Sequence, residues 1–183
     1  MKNAVILLIA CLLPLAAQEI KMPASLDKLA ERAEETVDVT LDGTLLKLAG
    51  RFLSGHDSDA SVGKKFLDGL QSVTVRSYEF SHDGEYDKAD LDAVRAQVKG
   101  PQWARIVGVR SNHGGDNVDV YFKDGGNGNL AGIVVICAEP RELTIVSVVG
   151  TIDPAQLASL GGDFGVPKLD LEIGSMRWRK GER

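Results

Sequence analysis

Cysteine is nearly absent from this chain: 183 residues contain two, Cys11 in the apolar N-terminal stretch and Cys137 in the run Gly132-Ile133-Val134-Val135-Ile136-Cys137-Ala138. That excludes a disulfide scaffold and any paired-cysteine metal site. Histidine is equally sparse. His56, His82 and His113 stand far apart, and neither a His-Glu-x-x-His pattern nor a Gly-x-Ser-x-Gly elbow occurs. Gly63-Lys64 lacks the upstream glycine of a phosphate-binding loop. Positive charge is in deficit, with 21 Lys and Arg against 26 Asp and Glu. Nucleic acid and anionic lipid surfaces both need a basic footprint, so neither is an expected partner. No apolar run reaches the roughly 20 residues of a transmembrane helix. No residue is assigned to catalysis, to a cofactor or to a metal.

What is present begins at the N-terminus. Lys2, the apolar stretch Ala4 to Leu13 and the small-residue exit Leu15-Ala16-Ala17 before Gln18 follow the pattern of a secretory signal. Cleavage after Ala17 and a periplasmic or secreted location are therefore expected. The alternative is a lipoprotein cut before Cys11, suggested by Leu8-Ile9-Ala10-Cys11, although Leu12-Leu13-Pro14-Leu15 then stands where a polar tether is expected. Membrane contact would follow only from that lipidation or from the basic tail. The division expected is a signal at 1–17, one globular domain over 18–168, and a tail or edge strand over 169–183. With 44% hydrophobic and 26% charged residues, the domain has the composition of an ordinary globular protein.

Periodicity gives the elements. Ser25 is expected to cap a helix with Leu26, Leu29 and Ala33 on its dry side. Thr36 to Leu41 alternates as a strand with one dry face, and Asp42-Gly43 leads into a helix lined by Leu45, Leu48, Ala49 and Phe52. A helix over 60–67 stops at Gly69. The strand Val73 to Phe80 changes its apolar face after Ser77, which suggests a bulge or an edge. Asp87 caps the next helix, with Leu91, Val94 and Val98 inward and Gly100-Pro101 at its end. Four strands follow, over 103–111, 118–123, 130–138 and 143–149, joined by links short enough for an antiparallel meander. The third is apolar on both faces and should lie centrally. Asp153-Pro154 begins a short helix closed by Gly161-Gly162. The fold class is α+β: a single mixed, largely antiparallel sheet of about six strands, with helices packed on it and right-handed crossovers early in the chain.

Each chemically suggestive stretch has a plainer explanation. Gly126-Asn127-Gly128-Asn129-Leu130-Ala131 has dinucleotide-fingerprint spacing, but a strand follows where that motif needs a helix, so the glycines are assigned to a hairpin. Ser81 to Asp87 is dense in ionisable groups. An EF-hand loop counted from Asp83 would place Lys88 and Val94 where glycine and glutamate belong, so it is read as a solvated loop before a capped helix. Cys137 is expected in the core, unreactive. His113-Gly114-Gly115-Asp116 and the tail around Trp178 are candidate contact points.

Several segments together carry a family resemblance: Glu34 to Gly43, Val75 to Phe80, Trp103 to Ser111, Ala138 to Thr144 and Val149 to Asp153. Over roughly residues 24–168 the chain resembles the bacterial family called domain of unknown function 4252. The resemblance implies an exported protein, often a lipoprotein, with no catalytic residues to carry over. Some members are similar to proteins encoded beside extracytoplasmic sigma factors and their membrane anti-sigma partners, so the resemblance points to envelope stress signalling. Two functions are therefore expected: a non-catalytic envelope protein acting through protein–protein contact, or an exported hydrolase or small-ligand binder using loop residues His56, Asp57, His82 and Asp83.

Overall fold

The computed structural model describes residues 20–52, 58–111 and 115–161, with side chains undescribed at 58–62 and 160–161. The elements run α1 (Ala24–Ala30), β1 (Glu35–Asp42), α2 (Gly43–Phe52), α3 (Ser58–Gly69), β2 (Leu70–Glu79), α4 (Lys88–Gln97), β3 (Trp103–Val109), β4 (Asn117–Asp124), β5 (Leu130–Ala138), β6 (Glu142–Ile152) and α5 (Pro154–Gly161). All six strands form one sheet in the order β1-β2-β6-β5-β4-β3. The fold is α+β, and β3 to β6 make the expected meander, with β5 flanked on both sides.

Every pairing is antiparallel, so the sheet is not mixed and the early parallel crossover is absent. The excursion through α2 and α3 returns the chain directly beside β1 in the opposite direction. β2 and β3 do run the same way, but the meander separates them at different places in the sheet.

Alternation explains the two faces. On the first, α1 and α4 bring Leu26, Leu29, Leu91, Val94 and Val98 against Tyr78, Val134, Ile136, Leu143 and Ile145, all buried. On the second, α2, α3 and α5 cover part of the sheet around Leu46, Leu70, Ile133 and Ile152. The helix α4 starts as its sequence requires. Asp87 accepts from the amides of Ala89 and Asp90, and Asp90 accepts from the Asp87 amide, a reciprocal capping box.

Several local expectations are corrected. Pro23, not Ser25, stands at the N-cap of α1, and no side chain caps it; Ser25 Oγ is buried without a partner. The change of apolar face along β2 is no bulge at Ser77. Val73 and Val75 serve the second face while Tyr78 serves the first, and the register shift falls between Leu70 and Ser72. Helix α2 buries Leu46 and Gly50, leaving Leu45, Leu48 and Phe52 exposed. The dry face of β1 is also partly wet, with Val37 and Val39 exposed on an edge strand. Glycine permits the tight β4–β5 connection, where Gly126, Asn127 and Gly128 all have positive φ.

Candidate functional site

The expected loop cluster does not assemble among the described residues. His56, Asp57, His113 and Gly114 lie outside them, as do the expected signal at 1–17, with Cys11, and the Trp178 tail. His82 is 85% exposed, with Nδ1 3.3 Å from Glu85 Oε1. The Asp83 carboxylate lies 3.6 Å from Arg141 Nε and is largely exposed. Asp87 is engaged in capping α4. Gly115 donates its amide to Ser111 Oγ at 3.0 Å, a contact internal to the loop. No group of three His, Cys, Asp or Glu side chains among the described residues is placed to hold a metal ion.

A different feature emerges from the strand register. Val37 and Val39 of β1, Val75 of β2, Val146 of β6, Val135 and Cys137 of β5, Val118 and Val120 of β4, and Val109 of β3 occupy the second face. None of them is buried; Val37, Val39 and Val109 are 39%, 38% and 50% exposed. On the first face the alternating residues of β5 and β6 are instead closed off, Val134, Ile136, Leu143 and Ile145 all at 0%. Val120 and Val135 pack against the edge of the second-face core, and the adjoining β-branched side chains that stay exposed beyond it are of the kind that marks contact sites. Cys137 belongs to this half-open face rather than to the core. Burial, reinforced by Glu139, Glu142 and Asp116, pushes its thiol pKa up, so the thiolate is disfavoured and nucleophilic chemistry with it.

One end of the valine face carries a row of like charges. Glu35 pairs with Glu79 and Glu79 with Glu142, placing three exposed carboxylates side by side on β1, β2 and β6. Directly opposed like charges on neighbouring strands cost a few tenths to about 1 kcal/mol. Glu142 is steadied by Ser77 Oγ at 3.2 Å and Thr144 Oγ1 at 2.9 Å. The neighbouring Glu139 carboxyl is raised above its ordinary pKa by burial and by Asp116 and Glu142.

On the first face the chemistry reverses. Asp119 of β4 is 1% exposed and receives three guanidinium groups: Arg110 Nη2 at 2.6 Å, Arg105 Nε at 2.7 Å and Arg95 Nη2 at 3.2 Å. Burial alone would raise its pKa. The Arg110 hydrogen bond and the charges of Arg110, Arg105 and Arg95 overcome that and hold the carboxyl below the usual range. Arg105 reaches Asp119 because the residue opposite Asp119 is Gly108, after an irregularity between Arg105 and Val107. A methyl group at Gly108 would collide with the Arg105 guanidinium. Arg95 Nε is buried with no hydrogen-bond partner, a deficit worth about 1–3 kcal/mol.

Arg95 and Arg110 open onto a groove of about 920 Å³ that includes Lys88, Tyr86, Tyr121 and Asn117. Tyr86 packs on Phe80, with ring centroids 5.5 Å apart. Its hydroxyl donates to the Glu139 carbonyl and lies 3.2 Å from that of Glu142, which ties α4's leading loop to the β5–β6 turn. Burial, with Glu139 adding to it, pushes the Tyr86 pKa up to about 12.

Neither the valine face nor the arginine cluster was singled out from the sequence. The alternation of Val118, Val120 and Val135 was visible, but which face the helices leave open is a tertiary outcome. Arg95, Arg105, Arg110 and Asp119 share no motif spacing; an Asp among the apolar residues of β4 was the one available signal.

Residues 31–160 match the family described as Domain of unknown function (DUF4252). The match covers more than half of the chain, and the protein belongs to that family. No curated protein and no solved structure matches it. No helix among the described residues is long and apolar enough to cross a membrane.

Proposed function

We propose that this protein is a non-catalytic component of the bacterial cell envelope that works by binding another protein on its open valine face. The observation that carries the proposal is the contrast between the two sides of the same strands. One side is closed by α1 and α4, and the other carries exposed or half-exposed valines on all six strands, from Val37 to Val109. The row Glu35, Glu79 and Glu142 at its end supports a partner segment apolar along one side, with lysine or arginine at one end. Such a segment covers β-branched surface and relieves the carboxylate repulsion at once. Export, with cleavage after Ala17 or lipidation at Cys11, brings the protein to membrane-bound regulators, and envelope stress signalling is the setting we favour.

A photo-crosslinking residue at Val39 or Val109, in cells expressing the full chain, tests this. The expected result is one discrete partner species from both positions and none from a control at exposed Asp92 on α4. Crosslinks no more frequent than at Asp92, or to a second copy alone, would overturn it. So would turnover of a hydrolase substrate that is abolished by His82→Ala.

A further inference from the structure

We infer that the arginine cluster on the opposite face is an oxyanion-binding site, taking a small organic carboxylate or phosphorylated ligand into the groove beside α4. It stands on observations separate from the valine face. Three guanidiniums surround a single carboxylate, so the cluster keeps two positive charges in excess. One fork alone would neutralise Asp119. Arg105 and Arg110 remain 42% and 45% exposed while tethered by Asp119, and Arg110 also donates through Nη1 to the Val109 carbonyl at 2.7 Å, so both guanidiniums are held in place yet reachable. The cost of ordering two long side chains is already met in the free protein.

The chain bends its own rules to build this arrangement. The pairing of β3 with β4 is irregular between Arg105 and Val107, and Gly108 leaves the space the Arg105 guanidinium occupies. Arg95 adds a buried Nε–H without a partner. Arg95, Arg110 and Lys88 line the same groove, whose volume suits a small molecule rather than a macromolecule. Of the three acids that line it, Asp87 is taken up by the cap of α4 and Asp83 lies 3.6 Å from Arg141, which leaves Glu139 facing the three cations. The planar forks of arginine match the oxygens of carboxylate and phosphate alike.

The test is a titration of the full-length protein, in NMR spectra of the arginine Nε–H groups, with succinate, inorganic phosphate and, at matched ionic strength, sodium chloride. Saturable shifts of Arg95 and Arg110 with succinate or phosphate, and not with chloride, are expected. Arg76, paired with Asp38 elsewhere on the sheet, should stay still. Whichever anion saturates at lower concentration identifies the carboxylate or phosphoryl class. Arg110→Gln should weaken binding at least tenfold. If that variant does not fold, the wild-type titration still decides. Shifts that are absent, shared equally by Arg76, or matched by chloride would overturn the site.

Discussion

Asp119 does at the residue scale what a hydrophobic residue does elsewhere in the sheet: it fills a closed position, but with charge. Asp119→Asn leaves three guanidiniums without their counterion and is expected to cost about 3 kcal/mol, as for other broken buried pairs; urea denaturation measures it. Because the folded-state pKa is depressed, the stability from this group is present above its unfolded value of about 3.9. It is lost as pH falls through the lower folded value. The wild type should therefore lose stability in acid more steeply than Asp119→Asn. Tyr86 behaves in the opposite sense. Its stabilisation is complete below about pH 10 and fades as pH rises through its folded pKa of about 12. Tyr86→Phe should cost about 1 kcal/mol near neutrality and flatten that alkaline loss, both measurable from melting curves across pH.

At the scale of elements, β5 and α4 are the parts on which the fold leans. A proline at Val135 removes a ladder bond from an interior strand flanked by β4 and β6 and should destabilise by about 3 kcal/mol or more. A variant melting like the parent would contradict the central placement of β5. These two elements were also the most legible in the sequence. The run 130–138 is apolar on both faces, and Asp87 with Asp90 announces a helix start through hydrogen bonds made within one turn. What was misread depended on partners far along the chain. The stripe Leu45, Leu48 and Phe52 has helical spacing, but α2 rests on the sheet through Leu46, so position rather than pattern decided which side was covered. Likewise, the alternation of β1 and β2 could not say that their junction is antiparallel. The helical excursion between them is compatible with either direction until the sheet chooses. Local capping was therefore readable, while the arginine cluster, assembled from α4, β3, β4 and the segment after β3, was not.

The whole molecule is a sheet with two unlike sides, one sealed by helices and lined at its margin by arginines, the other apolar, half-open and ended by glutamates. Glu79 lies in the middle of that row. Glu79→Gln should leave the free protein as stable or more stable by a few tenths of a kcal/mol, while weakening partner binding and its dependence on salt. The most direct measurement is the affinity of the partner crosslinked through Val39 for the wild type and for the double variant Val39→Gln, Val109→Gln. Both positions are exposed in the free protein, so each change should alter folding stability by no more than about 0.5 kcal/mol. A folded double variant that binds the partner at least tenfold more weakly is expected. A folded variant with undiminished affinity would contradict a docking role for the valine face.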